Sequence, residues 1–241
     1  MSRYWNEMNY PQPTKSELKR NAKMTAQKAA DKGQTLHPII IKSSRIATSW
    51  WGKAWCDNLE RYADYDTRLP RGRRYVKTGA VVDLQIKKGK IQARVQGTRK
   101  TPYKVEIRIS PLSEKQIGEI TQKCGARVET LDKLVNGDFP KELKDVFLEE
   151  GGLFPKPREI SFSCSCPDWA VMCKHVAAVL YGVGARLDED PLLFFSLRGI
   201  DTNRFVDVVI SNRVEAMLQN VDKPSERIIQ DTKIADLFGV L

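Results

Sequence analysis

Apolar and polar residues alternate with a period of two along three runs between positions 80 and 109, AVVDLQIKKGKIQARVQGTRKTPYKVEIRI. Val, Leu, Ile and Tyr occupy one set of alternate positions, and Lys, Arg, Gln, Asp and Glu occupy the other. This period is typical of strands that bury one face and expose the other. Lys88-Gly89 favours a tight turn and GTRKTP favours a longer one. The pattern predicts a three-stranded antiparallel sheet, and HPIII at 37–41 predicts a fourth strand.

A helical period of three to four residues precedes the sheet in SWWGKAWCDNLERYAD. Trp51, Trp55 and Leu59 recur on one face of this segment, and Ser49 is a suitable N-cap. We predict that this Trp-rich helix covers the apolar face of the sheet. The stretch between helix and sheet, RLPRGRRYVKTG, contains Arg, Gly and Pro and predicts a loop.

Other segments predict shorter elements. KSELKRNAKMTAQKAADKG predicts a basic helix whose apolar face is too weak to pack strongly. After the sheet, a capping box begins a helix at Ser113, and EISFS at 159–163 predicts a strand. Four more segments have helical patterns: RVETLDKLVNG, PKELKDVFLEEGG, DPLLFFSLRG and FVDVVISNRVEAMLQNV.

Composition narrows the class of protein. The chain has 241 residues, 41% of them apolar, which is enough for a sizeable core. No run approaches the roughly 18–20 apolar residues of a membrane span, and MSRYWNEMNYPQP lacks the apolar stretch of a secretory signal. We therefore expect a cytoplasmic protein, nucleoid-associated if bacterial, without a membrane partner. A reducing compartment disfavours structural disulfides.

Charge is concentrated in the N-terminal half. The net charge is +10, and residues 68–108 alone hold thirteen Lys and Arg against two carboxylates. Such a region predicts a polyanionic partner, most often nucleic acid; the alternative is a solvated basic surface. The predicted phosphate contacts are Arg71, Arg73, Arg74, Lys77, Lys87, Lys88, Lys90, Arg94, Arg99, Lys100, Lys104 and Arg108.

Four metal-binding side chains lie within twelve residues of the sequence SCSCPDWAVMCKHVAAVL. Cys164 and Cys166 are one residue apart, Cys173 and His175 are one residue apart, and six residues separate the two pairs. Two such pairs assemble a tetrahedral Cys₃His zinc site when a strand delivers one pair and a helix start the other. We predict one structural Zn²⁺.

The alternatives to zinc fit this spacing less well. Two cysteines one residue apart are poorly placed for a disulfide, a catalytic Cys–His pair needs one cysteine, and a redox pair is usually Cys-x-x-Cys. Cys56 and Cys124 are isolated, and His37 precedes a proline; all three are predicted to be structural.

The pattern Cys-x-Cys-x(6)-Cys-x-His, followed by an apolar helix to about Leu180, closely resembles the SWIM zinc finger. This resemblance implies binding to DNA or to proteins. The layout, with the WWGKAW helix and the basic sheet before the finger, is also similar to bacterial SWIM proteins that accompany Swi/Snf-class helicases. That likeness implies an accessory role beside an ATP-driven DNA translocase.

These observations predict an α+β chain with a small zinc-bound ββα finger and a helical C-terminal region. The predicted units are a flexible basic segment at 1–35, a basic α+β domain at 36–112, a helical connection at 113–155, the finger at 156–188 and a helical region at 189–241. We expect Cys173→Ser to unfold only residues 158–187 and to leave the basic sheet folded.

The predicted function is non-enzymatic nucleic-acid binding, to DNA in preference to RNA, with Trp169 and Lys174 of the finger on the same ligand. The alternative is an adaptor whose finger docks onto a helicase or recombinase. No phosphate-binding Gly-x-x-x-x-Gly-Lys-Ser/Thr loop is present. The carboxylates of LDEDP are interpreted as a helix end rather than a nuclease site, and no small-molecule substrate is expected.

Overall fold

The computed structural model describes residues 12–125, 141, 144–149 and 151–219. Four strands form one antiparallel sheet in the order β1-β2-β3-β4. The three predicted runs and EISFS are confirmed as strands: β1 Val81–Lys87, β2 Lys90–Val95, β3 Tyr103–Ile109 and β4 Ile160–Cys164.

The predicted strand at 37–41 is wrong, because this segment runs beside β1 without being a strand. Two backbone hydrogen bonds tie it to β1: Leu84 donates to the carbonyl of His37 at 2.9 Å, and Ile39 donates to that of Val81 at 3.0 Å. The fourth strand is β4, which comes from just before the cysteine cluster.

The register of the sheet separates its two faces. Directly opposed residues of antiparallel strands project to the same side. Leu84, Ala93, Val105 and Cys164 are opposed across the four strands and lie on the apolar face. Gln85, Gln92, Glu106 and Ser163 form the next row, on the solvent face. The first metal ligand is therefore on the face that packs against helices.

Eight α-helices lie in the described part of the chain. They are α1 Lys15–Ala30, α2 Trp50–Glu60, α3 Arg68–Lys77, α4 Glu114–Gly125, α5 Lys144–Leu148, α6 Lys174–Glu189, α7 Leu193–Leu197 and α8 Thr202–Leu218, and a 3₁₀ turn spans Pro157–Glu159. The helix predicted in RVETLDKLVNG lies outside the described residues. Within the described ranges, no helix is both long enough and apolar enough to cross a membrane.

Helix α3 replaces the predicted loop in RLPRGRRYVKTG. Pro70 is tolerated because it lies in the first turn, where a helix needs no amide donor. Tyr75 and Val76 are buried, and Gly72 lies so close to α6 that an added Cβ would be 2.6 Å from the Cβ of Ala177. Because Gly72 occupies the packing face where an apolar side chain would mark the helical period, the sequence pattern of this segment did not indicate a helix.

Helix α6, directly after the cysteine cluster, lies at the centre of the fold. One side packs on the sheet, where Gly182 brings the helix close to Leu84. The Trp-rich helix packs on its other side: the indole of Trp51 donates to the carbonyl of Leu187 at 2.9 Å, and that of Trp55 to Leu180 at 3.1 Å. The predicted α+β class, with helices packed on an antiparallel sheet, is confirmed.

The segments predicted as a basic domain and a finger thus contribute to one sheet and one core. The N-terminal helix also packs on this body, although its apolar face was predicted to be weak. Leu18 is fully buried, Asn21 donates to the carbonyl of Gly97 at 3.2 Å, and Thr25 donates to the side chain of Gln96 at 2.8 Å.

Candidate metal centre

The four predicted ligands meet at the junction of β4 and α6. The ligand atoms of Cys164, Cys166, Cys173 and His175 all lie within 4.8 Å of one another. The Nδ1 atom of His175 is 3.9 Å from the sulfur of Cys164 and 4.0 Å from that of Cys173. Tetrahedral zinc, with Zn–S bonds of 2.3 Å, places its ligand atoms about 3.8 Å apart. The cluster therefore has the dimensions of one zinc site.

Each ligand is placed by a different local structure. Cys164 is the last residue of β4, and Cys173 is the N-cap of α6, with His175 in the first turn. The turn at Ser165 is fastened to β3: its amide donates to the carbonyl of Lys104 at 3.0 Å, and its hydroxyl accepts from the Lys104 amide at 2.9 Å. These bonds fix Cys166 between the strand and the helix.

Two carboxylates hold the loop between the ligand pairs. Asp64, which precedes α3, accepts the amides of Val171 at 2.7 Å and Met172 at 3.0 Å. Asp168 accepts the Ala170 amide at 3.3 Å and pairs with the Nε of Arg68 at 3.1 Å. The loop that joins the two ligand pairs is thereby tied to α3 and to the segment before it.

Burial keeps His175 ready to bind a metal. Desolvation lowers the pKa of its imidazole, so the neutral form is favoured. Its Nδ1 faces the sulfurs, while its Nε2 is buried and has no hydrogen-bond partner among the described residues. The ring stacks on Tyr103 at 4.1 Å and meets the edge of Tyr75 at 5.4 Å. Packing therefore holds the ring, and the metal is the partner left for Nδ1.

The cysteines of the cluster change one another's pKa through hydrogen bonds between their sulfurs. Hydrogen bonds from Cys164, and then from Cys173, lower the pKa of Cys166. The hydrogen bond with Cys166 is also the first cause that raises the pKa of Cys164. A divalent cation binds the cysteines as thiolates and displaces their protons, so metal binding at this cluster releases protons.

The predicted phosphate contacts on the sheet lie where the sequence placed them. Lys87, Lys90, Arg94, Lys104 and Arg108 are on the solvent face, Lys88 is in the β1–β2 turn, and Arg99 and Lys100 are in the β2–β3 loop. Three of them are paired: Glu106 accepts from Lys90 and Arg108, each at 2.8 Å, and Asp83 lies 3.6 Å from Arg94.

The structure does not bring the cations of α3 to that face. Arg73 pairs with Glu60 and lies over the ring of Tyr181 at 5.3 Å. Arg74 donates to the carbonyl of Pro13, and Lys77 donates to that of Ser44 at 2.7 Å. Arg71 and Lys174 are half-buried. Arg73 and Arg74 therefore have partners within the protein, and their positions do not require a bound ligand.

Sequence reasoning missed Asp64 and did not assign a role to Asp168. Asp64 is 107 positions before its partner Val171. No local signal connects the two, because their contact depends on how α3 packs against α6. Arg158, which the 3₁₀ turn exposes beside the sheet, was missed for the same reason.

Comparison with known proteins agrees with the geometry. The family model described as SWIM zinc finger matches residues 146–183. The chain is also similar to the uncharacterized protein Rv2102 of Mycobacterium tuberculosis, with 38% identity over 165 residues. The aligned part is 67% of this chain and spans 59% of that protein's length. No solved structure matches the chain. Together with the Cys₃His cluster, the family match shows that the protein carries a SWIM zinc finger with one zinc site.

Proposed function

We propose that this is a non-enzymatic nucleic-acid-binding protein in which zinc has a structural role. Four protein ligands complete a tetrahedral sphere and leave no open position for water or substrate. Metal at this point joins the end of β4 to the start of α6. The cluster therefore supports the fold that presents the basic surface.

The observation that carries this proposal is the charge of the sheet's solvent face. Five cations share it with two carboxylates, which leaves a net charge of +3. Lys87 and Lys104 are exposed and have no ion pair within the described ranges. Lys and Arg bind phosphates, and the amides of Gln85 and Gln92 between them are suited to sugar or phosphate oxygens.

The choice of DNA over RNA, and of a partner, rests on the resemblance to bacterial SWIM proteins. We infer an accessory role beside a Swi/Snf-class DNA helicase or translocase, because such proteins accompany these motors. In this role the basic face holds nucleic acid while the motor supplies ATP hydrolysis.

Salt-dependent binding tests the proposal. The zinc-loaded protein is titrated against labelled single-stranded DNA, duplex DNA and RNA by fluorescence anisotropy. Lys87→Gln/Lys104→Gln should weaken binding and reduce the salt slope by about 0.9 for each lost phosphate contact on duplex DNA. The control Lys53→Gln/Arg61→Gln removes two exposed charges from the far side of α6 and should bind normally. Absence of binding by the wild-type protein at low salt would refute the proposal.

One observation favours the adaptor as a second candidate. Trp169 is 79% exposed and Val171 66% exposed, and Trp169 meets the edge of Tyr65 at 5.3 Å. An exposed aromatic side chain on a loop that hydrogen bonds hold in place is typical of an anchor residue in protein interfaces. If Trp169→Ala abolishes capture of a Swi/Snf-class helicase and leaves nucleic-acid binding intact, the finger is the docking element.

A further inference from the structure

A cationic cleft lies at the end of β4 opposite to the metal centre. The β1–β2 turn, the end of β3 and the 3₁₀ turn before β4 enclose it. Lys88, Lys90, Arg108 and Arg158 line its walls together with Glu159. Arg158 is 50 positions after Arg108 in the sequence, and it joins the other three cations because β4 pairs with β3.

A buried arginine neutralises the carboxylate in this cleft. Arg198 is only 1% exposed, and its Nη2 donates to Glu159 at 2.9 Å while its Nη1 donates to the carbonyl of Ser110 at 2.8 Å. The nearby carboxylate of Glu106 is shared by Lys90 and Arg108. Counting Arg198, five cations face two carboxylates, so the cleft has a net charge of +3.

Two of the cations are unengaged. Lys88 and Arg158 are exposed, and neither has an ion pair or a hydrogen bond to another described residue. They stand on opposite walls, one on the β1–β2 turn and the other on the 3₁₀ turn. Both cations line the same cleft, so an anion bound there can form charge-assisted hydrogen bonds with them.

The backbone around the cleft is fixed. Gly89 has φ +63°, and its amide donates to the carbonyl of Ser196 at 3.3 Å. An added Cβ at Gly199, whose φ is +82°, would lie 2.8 Å from Pro111 and 3.5 Å from the Cε of Lys88. The 3₁₀ turn is closed by the Lys156 amide, which donates to Glu159 at 2.7 Å. The walls therefore need little ordering when an anion binds.

We propose that this cleft binds a phosphate group and that Arg158 is a binding residue. A guanidinium donates two parallel hydrogen bonds to phosphate oxygens, and the ammonium of Lys88 closes the opposite side. The inference rests on the proposed nucleic-acid function for the source of the phosphate. That source is either an internal phosphodiester of the strand or its terminal monoester, which carries the higher charge.

Matched variants test this assignment in the full-length, zinc-loaded protein. Lys88→Gln/Arg158→Gln should weaken oligonucleotide binding about 10- to 100-fold, as expected for charge-assisted hydrogen bonds. Lys53→Gln/Arg61→Gln, with the same loss of charge on α2 and at its C-cap, should stay within about twofold of wild type. Unchanged zinc content and melting temperature establish that each variant is folded. Equal affinities of Lys88→Gln/Arg158→Gln and wild type would overturn the inference.

Two further arms separate the possible outcomes. With 5′-phosphorylated and 5′-hydroxyl oligonucleotides, a wild-type preference for the phosphate that the variant loses indicates the terminal monoester; an equal loss on both indicates the backbone. If the wild-type protein binds no oligonucleotide, the proposed function fails, and inorganic phosphate becomes the probe. Its addition should then change the NMR chemical shifts of the Gly89 and Ser110 amides in the wild-type protein but not in Arg158→Gln. That result would support phosphate binding in the cleft, and the absence of shift changes in the wild-type protein would overturn it.

Discussion

Cys56 and the cysteines of the metal centre have the same side chain in different surroundings. Cys56 lies on α2 against Gly184, where its sulfur would be 2.6 Å from an added Cβ. Burial, followed by the nearby charge of Asp57, raises the pKa of its thiol to about 12. In the cluster, by contrast, hydrogen bonds from neighbouring thiols lower the pKa of Cys166. Environment, not residue type, decides which sulfur becomes a ligand.

The thiol of Cys56 should therefore resist alkylation in the folded protein. With a pKa of about 12, its thiolate fraction at pH 8 is on the order of 10⁻⁴. The thiolate is the form that reacts with alkylating agents. We expect iodoacetamide to leave Cys56 unmodified in native protein and to modify it fully in denaturant, as measured by peptide mass spectrometry. Rapid labelling of Cys56 under native conditions would contradict its buried position between α2 and α6.

At the scale of the elements, glycines decide how α3 and α6 approach. Gly72 has no room for a side chain, because its Cβ would also lie 3.0 Å from the backbone nitrogen of Ala178. By contrast, Gly118 in α4 has open space around it. The two positions provide a matched pair, both within α-helices.

Gly72→Ala should destabilise the protein by about 1–3 kcal/mol, because overpacking forces α3 away from α6. Gly118→Ala should stabilise it by up to about 1 kcal/mol, because alanine is the better helix former. Denaturant unfolding monitored by Trp fluorescence gives both values. Equal effects of the two changes would show that the close approach of α3 and α6 has no energetic consequence.

The sequence predicted elements whose signal is local and missed those whose signal depends on a partner. The alternation in β1–β3 and the metal spacing are local, and both were found. Helix α3 was missed because its packing residue, Gly72, counts as a helix breaker in any one-dimensional pattern. The segment at 37–41 has the apolar residues of a strand, and Ile39 is buried while Ile40 is 66% exposed. Among the described residues it is joined to β1 by the backbone hydrogen bonds of His37 and Ile39 alone, and the number of such bonds cannot be read from the sequence.

On the scale of the whole molecule, the metal centre is attached to the core. The centre lies where β4 meets α6, and α6 contacts the sheet on one side and α2 and α3 on the other. Loss of the metal therefore affects α6, against which the sheet, α2 and α3 all pack. The expectation that only residues 158–187 would unfold has to be revised in this light.

Cys173→Ser, or removal of zinc by a chelator, should destabilise the entire described core. Structural zinc contributes on the order of 10 kcal/mol, comparable to the whole stability of a typical domain. Hydrogen exchange should show faster exchange in β2 and β3 as well as in the finger. Re-addition of zinc to the chelated wild-type protein should restore protection. Loss of protection confined to residues 160–175 would show that the finger is an independent unit.

The pairing of β4 with β3 also links the two ends of that strand. The strand ends at the ligand Cys164 and begins at Ile160, beside the cationic cleft. At 3.3 Å per residue these ends are about 13 Å apart, and ordering one end orders the other. By thermodynamic reciprocity, an anion that binds only the folded cleft must raise the apparent affinity for zinc, and zinc must raise the apparent affinity for the anion.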